Sequence, residues 1–119
     1  MRIRGTAVVF RDGKVLLVRD RGKYKFSLPG GGTKRNEPSI SSAVRELYEE
    51  LGMRARKAER FFLSDYKGSL NRHKVSIIET DDEPRLKSKE IAEFIWWDMK
   101  QDIERYSHVD KILRNIKQQ

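Results

Sequence analysis

Residues 31–53 read GGTKRNEPSISSAVRELYEELGM, and the fold can be read outward from this stretch. Its opening glycines, preceded by Pro29 and Gly30, permit a tight turn and close backbone approach. Proline is well tolerated in a first helical turn and glycine is a common helix stop. Pro38 and Gly52 therefore predict a helix over 38–51. Within it Ile40, Ala43, Val44, Leu47 and Leu51 share one face, with Tyr48 outside that face. On the helical wheel Glu50 lies about 40° from Glu46, and Glu49 lies about 60° to the other side. Three carboxylates thus form one edge beside the buried stripe.

That edge is electrostatically unfavourable as written. Each like-charge pair one turn apart costs a few tenths of a kcal/mol. The carboxylates also stand near the negative end of the helix dipole. A hard divalent cation such as Mg²⁺ or Mn²⁺, which prefers carboxylate and water oxygens, would remove the repulsion. From the helix alone, a solvated surface face is an equal reading. The glycine-rich loop adds weight to the metal site, because such a loop can present N–H groups to phosphate or to ligand side chains.

Outside this stretch, residues 2–12 and 15–20 read as two strands joined by a turn at Gly13 and Lys14. A short loop then leads into SLPGGGTKRNEP, residues 27–38, which is rich in turn formers. Strands are expected within 56–66, over 73–81 and over 91–99, with a polar connection at 81–90. A C-terminal helix follows, with Ser107 and Asp110 as cap residues and Val109, Ile112, Leu113 and Ile116 at helical spacing. The mixture predicts an α/β sandwich, a sheet covered by at least two helices.

The 119 residues are most simply one domain, 1–119, with no repeat or linker. Hydrophobic residues make up 37% and charged residues another 37%, in short periodic runs that argue against disorder. The absence of cysteine excludes disulfides, thiolate metal sites and a cysteine nucleophile. Apolar runs are too short to span a bilayer and the first residues lack a signal-peptide layout, so a cytoplasmic protein without a membrane partner is expected. The formal net charge of +8 suits a polyanionic partner, whether nucleic acid or nucleotide phosphates, and equally suits a merely soluble surface.

Gly31, Glu37, Arg45, Glu46, Leu47, Glu49, Glu50, Gly52 and Met53 match the Nudix box, G-x5-E-x7-R-E-U-x-E-E-x-G-U, where U is a bulky aliphatic residue. FSLPGG at 26–31 and EIAEFIWWDM at 90–99 resemble flanking segments of the same family. The chain is therefore identified as a member of the Nudix (MutT-like) hydrolases. The resemblance implies an α/β/α sandwich with a mixed, curved sheet between helices. It also implies a Mg²⁺- or Mn²⁺-dependent enzyme that hydrolyses a nucleoside diphosphate linked to another moiety X.

Carried onto this chain, the resemblance makes Glu46, Glu49 and Glu50 the metal ligands, with Glu49 or Glu50 also activating water. Arg45 would orient the glutamates, and Glu37 would tie the loop to the helix through Arg45 or backbone N–H groups. Gly31 would shape the site, a neighbouring carbonyl completing the metal shell. Glu90 is expected as a further base, with Glu93 the alternative. Trp96 and Trp97 face opposite sides of a strand, so one is core and the other, taken as Trp97, is a base platform or cleft edge. Phe26 is a further substrate candidate, alongside Tyr24 and Tyr66, and all three also read as packing residues. Arg4 is the preferred phosphate contact among Arg4, Arg19, Lys23 and Arg72. His73 and His108 lack metal-ligand spacing and are expected to be structural or surface residues.

A nucleoside triphosphate, including an oxidised one, a dinucleoside polyphosphate or a nucleotide sugar would all satisfy the chemistry. The proline and tyrosine that mark ADP-ribose and dinucleoside polyphosphate specialists are not matched in FLSDYKGSLNR, residues 62–72. The alternatives are a non-catalytic nucleotide- or RNA-binding regulator and an enzyme acting on RNA 5′ ends. Either a monomer or a homodimer is compatible.

Overall fold

The computed structural model describes residues 1–116. In chain order its elements are β1 (Arg2–Val8), β2 (Phe10–Arg11), β3 (Lys14–Asp20), β4 (Phe26–Ser27), β5 (Gly30–Gly32), α1 (Ser39–Leu51), β6 (Lys57–Arg60), β7 (Tyr66–Lys67), β8 (Asn71–Glu79), β9 (Ile91–Trp97) and α2 (Ser107–Leu113). A 3₁₀ turn at Phe62–Ser64 separates β6 from β7.

The strands form two sheets. One has five strands in the order β5-β1-β8-β6, with β7 also paired to β8; the other has four, β2-β3-β4 with β9 on β3. The first is mixed, since β1 runs parallel to β8 and antiparallel to β5. The uninterrupted strand expected over 2–12 divides at Val9: β1 joins one sheet and β2 the other. Val9 still belongs to the ladder, its carbonyl accepting the Leu16 N–H at 3.0 Å.

Strand alternation builds a core on each face. Ala7, Val9, Leu16 and Val18 turn towards Ala43, Leu47 and Leu51 of α1. Val8, Val15 and Leu17 turn the other way, towards Val109 and Ile112 of α2. The result is the helix–sheet–helix sandwich, with α1 and α2 on opposite sides. Leu47 and Leu51 are fully buried, each contributing about 2 kcal/mol of apolar burial.

Helix α1 starts one residue later than expected, with Pro38 as its extended N-cap, and ends at Gly52 in the left-handed conformation (φ 68°). The connection after β8 closes its C-terminal end. Lys87 and Arg85 donate backbone N–H groups to the carbonyls of Glu50 (3.2 Å) and Leu51 (3.0 Å). The Lys87 ammonium also lies 3.4 Å from the centre of the Tyr48 ring. The helix has no basic residue in its own last turn, so this connection supplies the cations that its negative end favours. The expected Ser107 and Asp110 cap is not formed. Tyr106 is the N-cap of α2 without a side-chain bond, and Asp110 instead pairs with Arg105 at 3.0 Å.

Candidate active site

Arg45 organises the acidic edge. Its Nε donates to Glu37 Oε2 at 2.9 Å and its Nη2 to Glu37 Oε1 at 3.0 Å, a fork-to-fork pair. Nη1 reaches Glu49 at 3.2 Å and Glu46 at 3.4 Å, while Nη2 also donates to the Gly32 carbonyl at 3.2 Å. Glu37 in turn accepts the Lys34 N–H at 2.9 Å, which fastens the loop to the helix. The hydrogen bond from Arg45, then that from Lys34, holds the Glu37 carboxyl down at about 2.

The remaining glutamates differ in environment. Glu49 is half exposed, whereas Glu46 retains only 20% of its side-chain exposure. Burial raises the Glu46 carboxyl above its ordinary value, against the pull of Arg45. Glu50 goes furthest: burial pushes it up to about 8, opposed mainly by Arg4. Its Oε1 accepts the Gly30 N–H at 3.3 Å.

Two glycines make this approach possible. Gly30 has φ 145°, open to glycine but not to other residues, and that conformation aims its N–H at Glu50. A Cβ on Gly31 would strike the Glu46 carboxylate, so Gly31 leaves the space that Glu46 occupies.

These side chains offer a set of oxygens suited to Mg²⁺ or Mn²⁺. Burial of the Glu50 carboxyl outweighs what Arg4 and the Gly30 N–H offer its charged form, and a cation would add to that compensation. Among the described residues no three acidic or histidine side chains converge at metal-binding distance. Glu49 is turned to Arg45 and Glu50 to Gly30.

Beside this edge lies a cavity of about 550 Å³, lined by Arg4, Lys23, Tyr66, His73, Tyr106 and His108 among others. The size suits a small-molecule ligand. His73 and His108 stack with ring centroids 4.4 Å apart, and Tyr106 is near-parallel to His108 at 6.0 Å. His73 Nδ1 is bonded to Thr6 Oγ1 at 2.8 Å, and His108 Nε2 accepts the Leu28 N–H at 3.4 Å. Burial drives both imidazoles down, to about 4 for His73 and about 3 for His108. Both are therefore neutral at physiological pH.

Arg4 joins the two regions. It lines the cavity and sits within electrostatic reach of Glu50, Asp20 and Glu46. Its Nη2 donates to the Leu28 carbonyl at 3.1 Å, while its buried Nε has no protein partner. A second cavity of about 400 Å³, bordered by Phe10, Lys57, Glu59 and Glu79, contains none of these residues.

Several expected site residues lie elsewhere. Trp97 is not a base platform: it is 3% exposed, packs in the core under α2, and donates its indole N–H to the Gln101 carbonyl at 2.8 Å. Trp96, on the other face, is half-buried with Arg11 over its ring at 4.9 Å. Phe26 also packs against the α2-side core, and its neighbour Ser27 borders the cavity instead. Glu90 is exposed in the turn before β9, its carbonyl accepting the Arg21 N–H at 2.7 Å. Glu93 is paired to Arg19 at 2.8 Å. Arg72 is exposed on the strand face opposite the buried His73.

The two histidines and Tyr106 were the residues that sequence reading left without a role in a site. One signal was available for His73. Along β8, residues 73, 75 and 77 share a face, and a histidine there stands in register with inward apolar side chains. His108 and Tyr106 carry no comparable signal.

The NUDIX domain family model matches residues 1–115. The chain belongs to the Nudix family. Among solved structures, it resembles a nudix family member from Chromobacterium violaceum, with TM-score 0.83 and 26% identity over 96% of this chain and 74% of that one. It also shares the fold of a MutT NUDIX hydrolase from Burkholderia pseudomallei, with TM-score 0.75 and 20% identity over 97% of this chain and 98% of that one. Curated relatives include the RNA pyrophosphohydrolase of Photorhabdus laumondii, 37% identical over 60 residues, which are 50% of this chain and 34% of the relative. That of Aeromonas hydrophila is 36% identical over 50 residues, 42% of this chain and 29% of the relative. This Nudix chain thus spans only about a third of the length of the curated relatives it matches. No helix among the described residues is long and apolar enough to cross a membrane.

Proposed function

We propose that this Nudix domain is a pyrophosphohydrolase acting on a nucleoside diphosphate derivative, a nucleoside triphosphate being the simplest member of that class. The observation that carries the reading is Arg4, a half-buried side chain with a buried, unpartnered Nε, set between the acidic edge and an aromatic cavity. A polyphosphate needs cationic groups at one end and a nucleoside needs flat neutral surfaces at the other, and Arg4 stands where the two meet.

Glu46, Glu49 and Glu50 would hold Mg²⁺ or Mn²⁺. When bound, the ion screens phosphate charge and makes water a better nucleophile at neutral pH. Arg45 keeps the carboxylates on one side of the helix, and Glu37 keeps Arg45 in place. Glu49 or Glu50 accepts a proton from water as the water oxygen bonds to phosphorus and the anhydride P–O bond breaks. Arg4 neutralises charge on the phosphate chain, and the stacked imidazoles hold the nucleoside.

The test is a hydrolysis screen over nucleoside triphosphates, dinucleoside polyphosphates and nucleotide sugars, with and without Mg²⁺ or Mn²⁺. Phosphate and pyrophosphate products are separated. Turnover should need the metal and fall about a thousand-fold in a Glu49→Gln, Glu50→Gln double variant. Full activity without metal, or in that variant, overturns the mechanism. Tight nucleotide binding with no turnover on any member would make the chain a binding module.

A further inference from the structure

Asp20, the last residue of β3, borders the same cavity as Arg4 and the stacked imidazoles and has no part in the reading above. It is exposed at the rim, within electrostatic reach of both Arg4 and Glu50. Three carboxylates surround Arg4 in this way: Glu50, Asp20 and Glu46. Glu46 is paired with Arg45 at 3.4 Å, and Glu50 accepts the Gly30 N–H at 3.3 Å. Among the described residues the Asp20 carboxylate has neither a hydrogen bond nor an ion pair, so it alone of the three is open to a ligand.

The backbone that carries Asp20 is fastened on both sides. The β3–β9 ladder shifts register between Arg19 and Asp20, an irregularity of the kind that re-aims a strand-end side chain. The Lys23 N–H closes the following turn on the Asp20 carbonyl at 3.0 Å. Arg19 donates to the Lys23 carbonyl at 2.8 Å and is itself held by Glu93 at 2.8 Å. Arg21 donates its backbone N–H to the Glu90 carbonyl and its Nε to the Lys89 carbonyl, both at 2.7 Å. The chain thus holds an unpartnered carboxylate at a defined point of the cavity rim.

An ionised carboxylate accepts hydrogen bonds and donates none, and it repels phosphate. Its ligand partner must therefore be a donor that is not part of the phosphate chain. With phosphate at Arg4 and the base against the imidazoles, the sugar is the segment between them, and its free hydroxyls are donors. We propose that Asp20 accepts hydrogen bonds from the ribose 2′- and 3′-hydroxyls of the bound nucleotide and so sets the sugar preference of the site. Its negative charge also keeps the phosphates on the Arg4 side, which fixes the direction in which the nucleotide enters. This rests on the hydrolase reading above and adds a specificity-determining residue to it.

Two substrates with the same base decide the matter: a ribonucleoside triphosphate and its 2′,3′-dideoxy counterpart. The wild-type chain should favour the ribonucleotide in kcat/KM by about ten-fold or more, since hydrogen bonds to a charged group are the stronger ones. Asp20→Ala should lower kcat/KM on the ribonucleotide to the level of the dideoxynucleotide and leave the latter unchanged. A carboxylate that only repels phosphate predicts the opposite sign, a gain on both substrates alike in that variant. No sugar preference in the wild type, or an equal change on both substrates in Asp20→Ala, overturns the proposal. Should neither substrate be hydrolysed with Mg²⁺ or Mn²⁺, the hydrolase reading fails separately. Isothermal titration calorimetry with the same two triphosphates then reads the sugar contact alone. Binding of the dideoxynucleotide about ten-fold weaker in the wild type, but not in Asp20→Ala, supports the contact. Equal affinities in the wild type, or no binding of either, overturn it.

Discussion

The acidic edge of α1 and the aromatic cavity beside it handle buried polar groups in opposite ways. Along most of the edge, charge is kept and paired: Glu37 is held ionised to about pH 2 by Arg45, which also reaches Glu46 and Glu49. On the imidazole wall of the cavity, charge is removed: burial keeps His73 and His108 neutral down to about 4 and 3. Glu50 stands between the two regimes, buried like the histidines yet belonging to the edge, and its carboxyl is pushed up to about 8. One region is thus prepared for a cation and the other for an uncharged ring. Arg4 is the permanent positive charge between them.

The strongest way to break this contrast is to charge the cavity. Free imidazoles protonate near 6.5 and the folded ones near 4 and 3, so below 6.5 the unfolded chain binds more protons. Stability contributed by the neutral pair is complete above 6.5 and is lost as the pH falls through the two folded values. The loss should be on the order of 4 kcal/mol, discounted for coupling between the rings. NMR titration should find both imidazoles still neutral at pH 5, and His108→Phe should lose less stability than the wild type between pH 7 and 4 in urea unfolding. A midpoint near 6.5 for either ring would show that the cavity is hydrated rather than sealed.

A smaller effect is expected from crowding the edge. Gly31→Ala places a Cβ against the Glu46 carboxylate, so that ligand must move. Displacement of a site group by about an ångström costs on the order of a hundred-fold in rate. Gly31 has no positive φ, so the variant should fold, and circular dichroism with kinetics on a nucleoside triphosphate separates the two effects. Wild-type kinetics in Gly31→Ala would show that Glu46 has no fixed position in the reaction.

The mildest change sharpens the edge without destroying it. Glu37→Gln keeps the shape but loses the ionised partner of Arg45. Because the folded carboxyl sits at about 2 against an ordinary 4.5, its contribution is present above about 4.5 and vanishes as the pH falls through about 2. The stability difference between wild type and variant should therefore close across that window in thermal melts. A difference independent of pH would mean that the pair acts through packing rather than charge.

Much of the edge was legible in the sequence because its groups are close along the chain. Glu37 and Arg45 lie eight positions apart, and the helical period alone puts Glu46, Glu49 and Glu50 together. A sheet covered by at least two helices was also expected, but residues 15–18 are apolar throughout, so which of them face α1 and which α2 emerged only with the structure. Misplaced residues share a different cause. Trp97 and Phe26 were assigned by chemical type, whereas a strand face and the docking of α2 decide whether a ring meets substrate or core. Glu90 was carried over from the family resemblance, and the structure puts it in the exposed turn before β9.

By itself the sequence determined the acidic helix and the glycine-rich loop before it, because both follow from local geometry and periodicity. Tertiary structure alone decided the cavity. Arg4 and His73 come opposite one another only through the parallel register of β1 with β8, and His108 reaches His73 only because α2 packs on that face. Such contacts join residues 69 and 35 positions apart, a span over which no local preference acts, and they form when burial of the α2 side chains offsets the entropy of closing the chain. The same packing removes water from the imidazoles, and so fixes their charge as well as their place.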